Sequence, residues 1–253
     1  MSSPYRPLVR GQISRIQVLA VSLTGLFLSV IVLTYLNPVI LLLGILSVAG
    51  LLSYTFFKNV WWGGPPWNAW IVALLPVIGR HVDPNYSLAE VGSAGTGAPG
   101  QVAFILAILA IFFAYANFVI MGYFKDISAD RETGYNTFPV VFGWKPAARY
   151  SDVIAVLAFL FTAGVLVAGG EADLLSVGIL IPGAVLSVAA QVGIHRTRDE
   201  CNTHGPITNV VRVFILYCLA VVAAYKGEWI LGMVIFYLLF EATLRVRPEK
   251  SQV

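Results

Sequence analysis

Charge is what this sequence has least of. Of its 253 residues, 11% are charged and 58% hydrophobic, whereas a soluble globular domain carries about 25% charged residues. A soluble fold of this length needs more polar surface than the chain can supply. With a net charge of +3 the protein is no polycation built to grip nucleic acid, and no nucleic-acid partner is expected. Cysteine is nearly absent. Cys201 and Cys218 support no disulfide framework and read as two unpaired thiols. His195, Cys201 and His204 fall together in one polar segment, but their spacing fits no standard zinc site. The residues ahead of the first apolar run are polar and basic, and that run is too long for a cleavable signal peptide. No low-complexity tract, soluble domain or clear internal repeat interrupts the chain, so one transmembrane domain, 1–253, is expected.

What the sequence does have is long uncharged runs. Val18–Leu36 and Pro38–Phe57 contain no charged residue. Runs near 20 residues match a bilayer core of about 30 Å at about 1.5 Å per residue. The pattern predicts an all-α polytopic transmembrane bundle of about eight spans, at roughly 15–36, 38–57, 66–80, 101–124, 148–169, 173–194, 208–225 and 228–245. The third is short and starts after Gly63-Gly64-Pro65-Pro66. Only Lys226-Gly227-Glu228 separates the last two, as a hairpin or a broken helix. With the N-terminus in the cytoplasm and every span crossing, the inner segments hold all 16 lysines and arginines except Arg80 and Lys226. The positive-inside rule therefore predicts a multi-pass cell-membrane protein with its N-terminus and its main acidic segment on the cytoplasmic side. The spans carry no internal row of ionisable residues, which argues against a channel or transporter.

The acidic segment lies between Gly122 and Gly143, directly after a long apolar span. Asp126 and Asp130 are four residues apart, so on a helix they share a face. Two like charges so placed repel unless compensated. Lys125 and Arg131 flank them, and a divalent cation would compensate more fully. Mg²⁺ takes oxygen ligands and is typically held by one or two carboxylates plus substrate phosphates. An ordinary solvated loop is the plainer reading of such an acid pair.

The wider pattern resembles a known family. Lys125, Asp126, Asp130, Arg131, Gly134, Thr137, Pro139, Val140 and Gly143 are similar to the second aspartate-rich motif of the UbiA superfamily of intramembrane prenyltransferases. Pro4 to Ser14, reading Pro-Tyr-Arg-Pro-Leu-Val-Arg-Gly-Gln-Ile-Ser, resembles the segment that opens the family's third helix. Ser53-Tyr54 with Lys58 is similar to a further family element, and Tyr54 and Lys58 again share a face. The resemblance implies a Mg²⁺-dependent transferase that moves a prenyl group from a polyprenyl diphosphate to an aromatic or lipid-alcohol acceptor at the cytoplasmic face, in quinone or lipid biosynthesis. By that resemblance Asp126 and Asp130 hold Mg²⁺. Lys125, Arg6 and Lys58 neutralise phosphate oxygens, Arg131 contributes to substrate binding, and Tyr54 lines the pocket.

The family's first motif, N-D-x-x-D, and the two helices before it are not found in this sequence. Two readings stand: a protein that is longer than this chain, or a shortened, non-catalytic membrane homologue that binds lipid or assists assembly. Seven spans usually follow the first motif, so 228–245 is the expected extra one. Simpler roles also stand beside the site assignments. Arg6 and Lys58 also read as head-group anchors, Tyr54, Trp61, Trp62 and Trp67 as interfacial belt residues, and Arg131 as a partner of Glu132 or lipid phosphate. Glu241 is expected to snorkel or to pair with Arg245 on its own helix.

Overall fold

In a bilayer, backbone N–H and C=O groups find no water, so a spanning segment closes its own hydrogen bonds as a helix. The computed structural model describes residues 7, 8, 10–82 and 98–246, and every regular element among them is helical. Ten α-helices follow one another: α1 Arg15–Leu36, α2 Pro38–Val60, α3 Gly64–Arg80, α4 Ala98–Tyr123, α5 Ile127–Glu132, α6 Phe138–Phe142, α7 Trp144–Gly169, α8 Leu174–Arg196, α9 His204–Tyr225 and α10 Ile230–Val246. Seven stretches are long and apolar enough to cross a membrane: α1, α2, α4, α7, α8, α9, and α10 together with the turn before it as Gly227–Val246. The eighth expected span, α3, has 17 residues and so reaches only about 25 Å.

The helix ends follow local chemistry. Ser14 caps α1 in a reciprocal capping box with Gln17, and Asp173 caps α8 in the same way with Ser176. Asn37 caps α2, with Pro38 at the first helical position. Its side-chain amide also donates to the His81 carbonyl at 3.1 Å, which ties the α1–α2 turn to the far end of α3. Gly50 lets α2 and α3 approach, because a Cβ there would lie 2.4 Å from the Trp70 ring.

The helices alternate in direction. Lys58 meets Asp130, Trp144 reaches Ile194 and Ser128 meets Glu200, so these residues share one end, called here the aspartate end. Asn37 and His81 mark the opposite end. The share of each span buried inside the protein runs from 0% in α1 to 39% in α4 and α9, which makes the latter two the centre. The main core lies at the aspartate end, where Ile120, Met121 and Phe124 pack with Ala147, Ala148, Ile194 and Ile207. Burial in the bundle thus holds rigid the end that carries the polar motif.

Candidate active site at the aspartate end

The acidic segment is a break between two helices. α4 stops at Tyr123, and Asp126 sits at the N-cap of the six-residue α5. The Asp130 N–H donates to the Asp126 carbonyl at 2.7 Å. The two acids are thus held one turn apart across a cap, instead of along one continuous helix.

Asp130 is 4% exposed. A buried carboxylate is costly without a partner, and Lys58 at the end of α2 supplies one, with Nζ 2.7 Å from Oδ1. The other oxygen, Oδ2, is buried and has no partner among the protein atoms. The ammonium also lies 4.4 Å above the Tyr135 ring and 5.3 Å above the Tyr123 ring, where cation–π attraction adds to the ion pair. Tyr123 in turn shares a 2.7 Å hydrogen bond with Tyr54, one turn before Lys58 on α2.

The motif's glycines explain how Tyr135 arrives there. Gly134, at φ +75°, takes the left-handed conformation that closes α5. Its N–H donates to the Arg131 carbonyl and the Tyr135 N–H to the Asp130 carbonyl, the paired bonds of a Schellman ending. The chain turns so that Tyr135 lies over Lys58, and the Asn136 N–H donates to the Lys58 carbonyl at 2.9 Å. Gly143, at φ +84°, ends α6 so that α7 can begin at Trp144. Another glycine is steric: a Cβ on Gly64 would lie 2.1 Å from the Tyr123 hydroxyl.

Asp126 is half-buried at the mouth. Burial pushes its carboxyl above the usual carboxylate range, Lys125 and Lys58 pull it back, and Asp130 and Glu200 push it further up. Its field therefore joins both acids, both lysines and a third carboxylate, Glu200, from the α8–α9 connection. Glu200 accepts from the Ser128 N–H at 3.1 Å with each oxygen and from the Ser128 hydroxyl at 2.6 Å. It thereby caps α5, whose own N-cap residue Asp126 makes no side-chain cap bond.

Of the residues singled out in the sequence, Tyr54, Lys58, Lys125, Asp126 and Asp130 gather at this corner. Arg131 is exposed on α5 and lines an adjoining polar cleft with Arg198 and Glu200. Arg6 lies outside the described residues. Trp62 packs edge-on against Phe138 and Phe142, and Trp67 against Phe57 and Trp70, so these two do more than line a belt. Glu241 corrects an expectation. It pairs with Arg212 of α9 through both oxygens, at 2.6 and 2.8 Å, because the guanidinium fork can bridge the two helices. His195 pairs with Asp152, and among the described residues no group of three or more His, Cys, Asp or Glu side chains is gathered to hold a metal.

Tyr123, Tyr135 and Glu200 join the candidate site through their contacts with Lys58 and Ser128, and sequence reasoning did not reach them. Tyr135 lies inside the motif at an unconstrained position. Glu200 is one acid in a polar segment distant in sequence, with no pattern to mark it. Further up the bundle, an apolar cavity of about 200 Å³ lies between α3, α4, α7 and α9, lined by Pro76, Ile111, Ala114, Thr162 and Phe214.

The UbiA prenyltransferase family model matches residues 1–209. The chain belongs to this family. The matched stretch takes in α1 to α8 and the whole aspartate corner, and leaves most of α9 and all of α10 beyond it. The chain is also similar to the digeranylgeranylglyceryl phosphate synthases of two strains of Halobacterium salinarum, each 32% identical over 157 residues, which cover 62% of this chain and 51% of the relative. It thus spans about half the length of those curated relatives. No solved structure matches it significantly.

Proposed function

We propose that this chain carries out UbiA-type prenyl transfer, from a polyprenyl diphosphate held at the aspartate corner to an acceptor lipid. The observation that carries the reading is the unpartnered, buried Oδ2 of Asp130 beside Asp126 and Lys58, inside the stretch matched by the family. A carboxylate oxygen so placed is a site for a cation or a donor.

The donor set fits Mg²⁺. Asp126 and the free oxygen of Asp130 would hold it, with diphosphate oxygens and water completing the shell, as is usual for an ion that binds through one or two carboxylates plus substrate phosphates. When bound, it would neutralise the negative charge that develops on the diphosphate as the allylic C–O bond breaks. Lys58 holds Asp130 in its rotamer and keeps a positive charge next to the leaving group. Lys125 adds to the field that draws the diphosphate in. Tyr54, hydrogen-bonded to Tyr123, would line the pocket, where an aromatic ring favours a developing cation. The apolar cavity between α3, α4, α7 and α9 would receive part of the isoprenoid tail and exclude water that would quench that cation. It begins near Ala114, nine residues before Tyr123, or about 14 Å up α4.

The product in the relatives' name, digeranylgeranylglyceryl phosphate, contains a glyceryl phosphate, which favours a lipid-alcohol acceptor over an aromatic one. The distribution of basic residues supports a cytoplasmic position for the corner. The test uses membranes carrying the protein, a labelled polyprenyl diphosphate and a panel of lipid and aromatic acceptors, with and without EDTA. Label in a prenylated lipid that disappears with EDTA supports the reading. Labelled product that persists in EDTA, or none with any acceptor, would sink it.

A further inference from the structure

Away from the aspartates, α8 packs closely on α9 and diverges from α7, leaving a cavity of about 570 Å³ between α7 and α8. Its walls are largely apolar: Ala155, Val156 and Phe159 on α7, Ala184 and Val188 on α8. Val156 and Val188 are exposed, so the groove opens sideways, where the bilayer would be. Tyr217 of α9 lines it from below, and its hydroxyl is hydrogen-bonded to Ser187, so that polar pair is satisfied.

The mouth is different. Asp152 on α7 and Gln191, His195 and Arg196 on α8 line it together. His195 Nε2 lies 2.7 Å from Asp152 Oδ2, but Asp152 Oδ1 is buried with no partner among the protein atoms. The orientation of Gln191 is set from behind. Asn117 spends its amide nitrogen on the Ser151 carbonyl at 3.1 Å, so it offers Oδ1 to Gln191, whose own amide nitrogen donates there at 3.4 Å. Gln191 Oε1 is thereby left buried and unpartnered as well.

These groups define an occupant. Two acceptor oxygens, one of them on a carboxylate, call for N–H donors that carry positive charge. Arg196 directly follows His195, the partner of Asp152, so the mouth presents an anion and a cation one residue apart along α8. A bare metal ion would be drawn by Asp152, but it would be repelled by Arg196 and would leave the trough unfilled. A zwitterion with adjacent ammonium and phosphate and an apolar tail answers all three features. From Arg196 to Ala184 is twelve residues, or about 18 Å, close to one leaflet's hydrocarbon depth of about 15 Å. We propose that this groove is a binding site for a bilayer lipid with a phosphoethanolamine head. The ammonium donates to Asp152 Oδ1 and Gln191 Oε1, the phosphate lies at Arg196, and one acyl chain lies between α7 and α8. This lipid is a resident of the membrane and not a reactant, and the site involves neither Asp126 nor Asp130.

The test is native mass spectrometry of the full chain released from micelles. Three probes share the same palmitoyl chains: phosphatidylethanolamine, phosphatidylcholine (same charges, no N–H) and phosphatidylglycerol (hydroxyls, no ammonium). Wild type should retain phosphatidylethanolamine about tenfold better than either of the others, the worth of one charge-assisted hydrogen bond. Asp152→Asn should bring it down to the level of phosphatidylcholine, and Gln191→Leu should narrow the preference. Arg196→Ala should weaken all three. Val156→Trp, a change on an exposed wall that fills the trough and leaves the mouth intact, should expel all three. Asp126→Ala should change none. Equal retention of phosphatidylethanolamine and phosphatidylcholine by wild type would overturn the proposal. So would a preference that survives Asp152→Asn, phosphatidylglycerol held as firmly as phosphatidylethanolamine, indifference to Val156→Trp, or displacement by farnesyl diphosphate, the last by assigning the groove to a prenyl donor.

Discussion

Lys58 and Asp130 form an ion pair whose members lie in different helices and depend on each other. Their side chains are 16% and 5% exposed, so removing one partner strands a charge that water barely reaches. Lys58→Met should therefore destabilise the protein by about 3 kcal/mol, measured by thermal unfolding in detergent micelles. Lys58→Met with Asp130→Asn should recover much of that loss, because the two changes are coupled. Asp126 should behave in the opposite way. Its folded-state carboxyl is raised, chiefly by burial, so as pH rises through the ordinary carboxylate range the unfolded chain ionises first and folding loses ground. Asp126→Asn is thus expected to raise the unfolding temperature at neutral pH without added metal. The same change should cut Mg²⁺-dependent transfer about a hundredfold, the scale of a lost charge-stabilising group. A variant both less stable and fully active would remove Asp126 from the metal role.

At the scale of elements, the long helices were legible because a bilayer admits few alternatives. An uncharged run such as Val18–Leu36 can only be a helix there, and α1 ends at Leu36. The aspartate corner was legible only in part. The spacing of Asp126 and Asp130 survives, but across a cap, since a break at residues 124–126 is not written in residue spacing. Lys58 stood out as a cation at a helix end, yet nothing local pointed it at Asp130, 72 residues away. Gly134 and Gly143 were recognisable as parts of a motif, while their reason, positive φ, shows only in the fold. Two predictions belong here. Gly64→Ala should push the Tyr123 hydroxyl aside, break its bond to Tyr54 and cost about 1–3 kcal/mol through overpacking, read from the unfolding temperature. Glu200→Gln should weaken the cap on α5 and lower apparent Mg²⁺ affinity about tenfold in the transfer assay, with maximal turnover much less affected. A fall in turnover at saturating Mg²⁺ alone would argue against that positioning role.

For the whole molecule, two central helices carry the burial and the outer ones are held by few polar ties. The Arg212–Glu241 fork is the tie between α9 and α10. Arg212→Met should loosen α10 and make it the first site of proteolytic cleavage in micelles, whereas Arg212→Met with Glu241→Met should restore resistance, because no unpaired charge remains in the apolar layer. The cap that Glu200 places on Ser128 crosses 72 residues of sequence. Those residues include α7 and α8, so a growing chain has no cap to close until both have left the ribosome and packed. Contacts this distant in sequence form late. The acid pair must therefore pass through biosynthesis beside a half-built wall, and it reaches its final charge environment only when the turn leading into α9 has been made.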